Sequence, residues 1–165
     1  MDLEQRILKI VSSNNLYIHD DCAYLSKSQQ LISTDTLVEN IHFTLKHFNA
    51  SKIAHRLFLC NYSDIQSSGG YPEYALLNIS FPSNNFEITQ QIIKFFKKLL
   101  TKHNIKLIGG DTTSSSKIYL SSTFISKKIK RSEIINRKNA KVGDSIYTLK
   151  NIGLSKLGYL SLLKK

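Results

Sequence analysis

The sequence predicts an α/β or α+β fold in which a mixed β-sheet is flanked by helices. Short apolar, β-rich runs alternate along the chain with longer segments whose apolar residues recur at helical spacing. Some short runs alternate apolar and polar residues and others are apolar throughout, which is typical of a sheet covered by helices. The chain has 165 residues, of which 41% are hydrophobic, enough for one domain with a core.

The first part of the chain carries one helical pattern and several short strand patterns. Asp2 and Gln5 resemble a capping box ahead of apolar residues at helical spacing, which predicts an opening helix that ends near residues 12–15. One strand is expected to end near Asp20 and Asp21. Two more are expected at 23–25 and 31–33, with a turn at 27–29. The acidic residues therefore fall at predicted strand ends.

The remaining elements are predicted in the same way. An imperfect apolar face predicts a helix that Gly69 and Gly70 terminate, and Pro82 ends the strand that follows. Residues 109–111, Gly-Gly-Asp, are expected to break a short strand. The predicted helices are 51–66, 86–103 and 153–163, and the predicted strands are 74–81, 106–108, 118–125 and 144–149.

Composition argues against several classes of protein. The chain has no run of about eighteen apolar residues and its amino terminus lacks a signal-peptide pattern, so we expect a cytoplasmic protein without a membrane partner. Cys22 and Cys60 have neither metal-ligand spacing nor a disulfide framework and are expected in or near the core. The net charge of +11 comes mostly from scattered lysines without an aromatic platform. We therefore expect no nucleic-acid partner, and an anionic substrate such as a nucleotide suits the charge equally well.

Four of the seven aspartates share a context. Asp21, Asp35 and Asp111 follow strand-like segments beside Ser, Thr or Gly, and Asp64 follows Ser63 after an apolar stretch. Carboxylates that are brought together repel one another and lose hydration, and Mg²⁺, which takes oxygen ligands, is the simplest counter-ion for such a group. Taken alone, Asp35 is better explained as a helix cap or turn residue than as a metal ligand.

Three further features each have a structural and a functional interpretation. Residues 109–111 form either a tight turn or a backbone that a phosphate approaches closely. His42 is either satisfied by a backbone carbonyl or binds a phosphate. Arg137 is either a surface residue or a planar partner for a nucleotide phosphate, and Asp144 is expected to shape a turn.

The order of these segments resembles that of the thiamine-monophosphate kinases, in the superfamily that includes aminoimidazole ribonucleotide (AIR) synthetase and selenophosphate synthetase. Residues 38–43, Val-Glu-Asn-Ile-His-Phe, favour the thiamine-monophosphate kinases over the other two. His19, residues 66–68 and His103 depart from the family's pattern. The matching segments, in order, are 20–23, 33–39 with 42–43, 61–64, 69–72, 107–113 and 137–144.

The resemblance implies an AIR-synthase-like amino-terminal ATP- and magnesium-binding domain over 1–150, with 151–165 beginning the connection to a second domain that is absent here. The residues implied to hold Mg²⁺ are Asp21, Ser33, Thr34, Asp35, Asp64 and Asp111. The residues implied to contact ATP are Gly110, Asp111 and Arg137, and His42 is implied to contact thiamine phosphate. No protein group is assigned as a nucleophile or a base.

The implied reaction transfers the γ-phosphate of ATP to thiamine phosphate, giving thiamine diphosphate and ADP, in a homodimer. Metal ions and basic residues would align two anionic groups and lower their repulsion. Because the family's second domain is missing, two alternatives stay open. Either the chain works with a separate carboxy-terminal-domain partner, or it is a truncated, inactive dimeric module that binds nucleotide.

Overall fold

The computed structural model describes residues 3–11, 20–148 and 152–163. The helices are α1 (Leu3–Val11), α2 (Ala50–Ser67), α3 (Phe86–Lys102) and α4 (Leu154–Leu163). The strands are β1 (Ala23–Leu25), β2 (Gln30–Val38), β3 (Pro72–Phe81), β4 (Lys106–Ser114) and β5 (Tyr119–Ser126). Short 3₁₀ turns lie at 83–85, 131–133 and 137–139. The predicted opening helix is confirmed, and α2, α3 and α4 lie within one residue of their predicted bounds.

The five strands form one mixed sheet in the order β1-β2-β5-β3-β4. β3 and β4 pair in parallel, and the other neighbours pair antiparallel. A parallel pair needs a crossover connection, which α3 provides between β3 and β4. Helices α2 and α3 pack against each other and against one face of the sheet. The predicted mixed sheet flanked by helices is therefore confirmed.

The core lies between α2, α3 and the sheet. Phe58 of α2 packs edge-on against Phe124 of β5 with ring centroids 5.7 Å apart, and Phe96 of α3 lies 6.3 Å from the same ring. Cys22 is buried and Cys60 is partly buried, as predicted, and both are free thiols. Other fully buried side chains are Leu31, Ile53, Leu57, Ile65, Ile92, Leu100, Ile118 and Leu120.

Helix α2 has well-defined ends, which fix the position of Asp64 in its last turns. The Asn49 side chain caps the amino end by accepting a hydrogen bond from the Lys52 backbone N–H at 3.0 Å. Beyond the carboxyl end, Gly69 adopts a left-handed φ of +88°. A Cβ on Gly70 would lie 2.8 Å from a leucine side chain of β2, so this turn packs tightly on the core. The helix stop predicted at the two glycines is confirmed.

Two strands continue where the sequence predicted that they end. β2 runs on to Val38 because it pairs with β5 along its length, so Asp35 lies inside a strand and not at its end. β4 does not break at 109–111, since its backbone keeps pairing with β3 through Ser114. Gly110 permits this pairing, because at its φ of +152° a Cβ would lie 1.8 Å from the Leu77 carbonyl oxygen.

The strand predicted at 144–149 was also wrong. Residues 144–148 form no strand, since they pair with no neighbour and are exposed, and Leu149 lies outside the described residues. Asp20 and Asp21 form a bend, and the strand expected to end there otherwise lies outside the described residues. Within the described part of the chain, no helix has the length and apolar character that crossing a membrane requires.

Candidate functional site

The structure brings three of the predicted metal ligands, Ser33, Asp35 and Asp64, together beneath the helices. Ser33 and Asp35 alternate with exposed residues along β2, so both side chains point to the face that α2 covers. The Ser33 hydroxyl donates a hydrogen bond to Asp64 Oδ2 at 2.9 Å. Asp35 and Asp64 lie close enough for each carboxyl to affect the pKa of the other. A strand and a helix thus hold three oxygen-bearing side chains in one place.

This pair of carboxyls carries more negative charge than its surroundings neutralise. Burial raises the pKa of Asp35 most, the Asp64 charge and hydrogen bond raise it further, and the nearby His42 lowers it. Burial is also the main cause that raises the pKa of Asp64, although the Ser33 hydrogen bond opposes it. Asp21 raises the pKa of both. A site that favours protons in this way also favours a cation.

Arg137 already supplies one cation to the cluster. Its guanidinium Nε donates to Asp21 Oδ2 at 3.1 Å, its Nη2 donates to Asp21 Oδ1, and Asp20 Oδ1 lies 3.9 Å away. The 3₁₀ turn at 137–139 places the arginine there, and its side chain is 65% exposed. A predicted ATP ligand therefore lies directly beside a predicted metal ligand, and it lowers the pKa of Asp64.

Thr34 and Asp111 do not join this cluster. Asp111 of β4 lies opposite Asn78 of β3, and Asn78 lies opposite Ser121 of β5. Ser121 in turn lies opposite Thr36 of β2. Partners in register share a face, so Asp111 lies on the face opposite to Asp35. The Thr34 side chain is on that opposite face too, where its hydroxyl shares a hydrogen bond of 2.9 Å with a threonine of β5. This face is open, with Thr34 exposed.

The Gly-Gly-Asp segment is part of an exposed edge strand and not a tight turn. All of β4 is exposed, and Asp111 Oδ1 accepts a hydrogen bond from the Thr112 N–H at 2.8 Å. Gly109 has room for a side chain, since the nearest atom to a Cβ would be 3.8 Å away, whereas Gly110 has none. The close approach that Gly110 allows in this structure is to the neighbouring strand.

His42 lies in the loop between β2 and α2, and its imidazole is held by the backbone. Its Nδ1 accepts a hydrogen bond from the Val38 N–H at 3.0 Å, so the partner is an N–H group and not a carbonyl. The imidazole Nε2 remains for another contact. Arg56 of α2 donates to the His42 carbonyl oxygen. The sequence analysis did not single out Arg56. The one signal that could have indicated it is that arginine is rare in this chain, which has four arginines and nineteen lysines.

The donor set suits Mg²⁺ in its chemistry, although the side chains are not preassembled into a closed cage. Asp21, Asp35, Asp64 and Ser33 offer only oxygen atoms, which is the preference of Mg²⁺. In the described residues, no three or more His, Cys, Asp or Glu side chains are arranged as metal ligands. Mg²⁺ commonly completes its shell with water and substrate phosphates, so an open protein site fits it.

Comparison with known proteins places this chain in a family. A family model described as AIR synthase related protein, N-terminal domain, matches residues 19–127, more than half of the chain. The chain belongs to the AIR synthase related family. The matched range includes the bend at Asp20 and Asp21 and the β2 segment that contains Asp35.

Relatives of this AIR synthase related chain include thiamine-monophosphate kinases. That of Leptospira interrogans is 34% identical over 159 residues, covering 94% of this chain and 50% of the relative. That of Buchnera aphidicola subsp. Schizaphis graminum is 40% identical over 152 residues, covering 90% and 46%. A solved structure of AaThiL complexed with AMPPCP and TMP superposes with a TM-score of 0.83 at 26% identity, covering 99% of this chain and 52% of that one. The chain thus spans about half the length of the relatives it matches.

Two positions that depart from the family's pattern have structural roles here. The His103 ring packs against Phe58 and Tyr62, with centroids 4.9 Å from each, and so closes the end of α3 against α2. The Ser68 backbone oxygen accepts a hydrogen bond from the Ile135 N–H at 3.1 Å. This bond holds the segment between the 3₁₀ turns at 131–133 and 137–139 against the end of α2. His19 lies outside the described residues.

Proposed function

We propose that this chain is the ATP- and magnesium-binding half of a thiamine-monophosphate kinase, an enzyme that transfers the γ-phosphate of ATP to thiamine phosphate. The observation that carries the proposal is the carboxyl pair of Asp35 and Asp64, in which the pKa of both groups is raised and Asp64 accepts a hydrogen bond from the Ser33 hydroxyl. The kinase relatives and the structural match to a complex with AMPPCP and TMP support it. The products would be thiamine diphosphate and ADP, in the cytoplasm.

When bound, Mg²⁺ would supply positive charge that offsets the charge of the phosphate groups. In this proposal Asp21, Asp35 and Asp64 hold the metal together with the Ser33 hydroxyl. Arg137 contacts the nucleotide phosphates, for which its planar guanidinium is suited. His42 contacts the phosphate of thiamine phosphate through Nε2. The protein groups orient the reactants, and none acts as a nucleophile.

The remaining predicted ligands lie on the open face of the sheet, which we propose to be the homodimer interface. Thr34 and Asn78 are exposed on this face, and β4 leaves a complete edge unpaired. A second copy on the open face would cover it and place Gly110 and Asp111 at the interface, where they could contact ATP or its metal. Thr34 would also contact ATP or its metal at this interface, because its side chain does not lie beneath α2.

The chain spans about half the length of the relatives it matches, and a second candidate function is a dimeric module that binds nucleotide without turnover. The carboxy-terminal part of the chain also exposes large apolar side chains, with Val142, Ile146, Tyr147 and Ile152 each more than four-fifths exposed. Such a surface is typical of an interface. We propose that a separate carboxy-terminal-domain partner covers it when the chain acts as a kinase.

Turnover separates the two candidates. We expect the chain alone to bind ATP with Mg²⁺, and to form thiamine diphosphate when it is mixed with the carboxy-terminal half of a thiamine-monophosphate kinase. Product formation from ATP and thiamine phosphate is measured by chromatography, with thiamine in place of thiamine phosphate as the control. Nucleotide binding without product under both conditions would favour the binding module, and the lack of nucleotide binding would refute both candidates.

A further inference from the structure

A cavity of about 920 Å³ lies between the β2–α2 loop, α2 and α4, beside the carboxylate cluster. Three cationic or potentially cationic side chains line it, His42, Arg56 and Lys156, and no carboxylate does. Its volume falls within the range of sites for small organic ligands, which is about 300–1,000 Å³. The charge of its lining selects for an anion.

Resting on the proposed function, we infer that Arg56 binds the phosphate of the acceptor substrate and selects a phosphorylated aromatic compound over its unphosphorylated form. Neither the sequence pattern nor the relatives' names assign a role to this residue. The inference concerns a positioning and specificity residue in the acceptor site, separate from the carboxylates that would hold the metal.

Arg56 is oriented but not neutralised. One Nη1–H donates to the His42 carbonyl oxygen, which fixes the guanidinium against the loop. A guanidinium has five N–H donors in a planar fork, so most of them remain for a ligand. In the described part of the chain, the ion pairs involve Arg137 and not Arg56. An oriented arginine without a carboxylate partner is suited to bidentate contact with a phosphate.

His42 presents a donor to the same space. Because its Nδ1 accepts the Val38 N–H, the neutral imidazole carries its proton on Nε2, an assignment that follows from the hydrogen-bond network. His42 is also close enough to Asp35 to lower the pKa of that carboxyl. Because His42 also lines the cavity, that lining comes near Asp35.

The rest of the lining suits an aromatic group. Phe48 and Tyr159 contribute rings to the cavity, and Leu162 adds an aliphatic side chain. Aromatic faces stack with heteroaromatic rings. Lys156 Nζ already lies over the Tyr159 ring, 5.8 Å from its centroid, so Phe48 offers the free aromatic face. A phosphate at Arg56 with an aromatic ring beside Phe48 satisfies both halves of the lining. Nucleotides also carry phosphate groups, so the test compares the binding of thiamine phosphate with the binding of ATP.

The test measures binding to Arg56→Gln, with Lys52→Gln as the matched control. Lys52 lies one turn earlier on α2, is exposed and does not line this cavity. By calorimetry we expect Arg56→Gln to raise the Kd for thiamine phosphate about tenfold or more, the usual scale for a lost charged hydrogen bond. The Kd values for thiamine and for ATP with Mg²⁺ should change by less than about twofold, and Arg56→Lys should recover part of the loss. Lys52→Gln should bind thiamine phosphate as the original chain does.

Inorganic phosphate provides a readout that does not depend on the identity of the substrate. Titration with phosphate, followed by the ¹⁵N shift of the Arg56 side chain, should saturate in the original chain, and Arg56→Gln should lose the phosphate-dependent shifts of the His42 loop. If thiamine phosphate fails to bind but these shifts occur, the proposed substrate is wrong and the anion site stands. If thiamine phosphate binds and Arg56→Gln leaves its Kd unchanged, or weakens ATP or thiamine equally, the inference is overturned. Circular dichroism confirms that each variant is folded.

Discussion

Replacing Asp35 by asparagine tests whether the carboxyl pair holds excess negative charge. The pKa of Asp35 is raised above its ordinary value of 3.8, so the folded protein binds this proton more tightly than the unfolded chain does. The stability that this group contributes is therefore full below pH 3.8 and falls as the pH rises through the raised pKa. Asparagine has nearly the same size and shape as aspartate but does not ionise. Asp35→Asn should remove most of that fall.

The size of the effect follows from the arrangement of charges. Two unit charges about 4 Å apart interact by about 1 kcal/mol in water and about 4 kcal/mol at an effective dielectric constant of about 20. Both carboxyls are partly exposed, and His42 and Arg137 offset part of the repulsion, so the lower half of this range applies. We expect Asp35→Asn to stabilise the metal-free protein by about 1–2 kcal/mol near pH 7.

Urea unfolding followed by circular dichroism between pH 3 and 8 measures this change. The two proteins should have the same stability near pH 3 and diverge as the pH rises. Glu87→Gln is the control, because it removes a carboxylate from the first turn of α3 and should lower stability by about 0.5 kcal/mol near pH 7. A destabilised Asp35→Asn near pH 7, or an effect that does not change with pH, would show that the pair is not a site of unbalanced charge.

Three further predictions concern single residues. Gly110→Ala should cost more than about 3 kcal/mol by urea unfolding, because its Cβ would overlap the backbone of β3, whereas Gly109→Ala should cost less than about 1 kcal/mol; equal costs would contradict the close approach. Arg137→Gln should strengthen Mg²⁺ binding measured by calorimetry without nucleotide, because it frees Asp21. The same substitution should weaken ATP binding about tenfold. If neither affinity changes, Arg137 is not part of the site. Burial raises the pKa of the Cys22 thiol to about 11, so at pH 8 it should react with a thiol reagent far more slowly in the folded protein than in urea, and equal rates would contradict its burial.

Local sequence patterns predicted the helices well because apolar residues recur along them at helical spacing. Helices α2 and α3 bury such a stripe, whereas α1 and α4 expose large apolar side chains. The ends of strands were predicted less well. Pairing with a neighbouring strand decides how far a strand runs, and the partner of Asp35 in β5 lies 87 positions away in the chain. Residues 144–148 have a strand-like composition but pair with no described strand, so composition alone misled.

The order of the motifs indicated which residues are near the site but not which face they occupy. Asp35 and Asp64 were predicted together and lie together, whereas Asp111 lies on the other face because of its register with Asn78. Register depends on the pairing of β4 with β3 and on the irregularity between Ala75 and Leu76, which no local pattern reveals. Arg56 was missed because its significance comes from the loop and helix that it meets in space.

The most direct test of the central claim is a calorimetric titration of the chain with AMPPCP, with and without Mg²⁺. The account predicts that binding requires Mg²⁺ and that Asp64→Asn raises the Kd at least about tenfold. Asp144→Asn is the control, since Asp144 accepts a hydrogen bond from the Lys141 N–H in a separate turn and should leave the Kd unchanged. Binding that is independent of Mg²⁺, or that Asp64→Asn leaves intact, would contradict the claim that these carboxylates form a metal–nucleotide half-site.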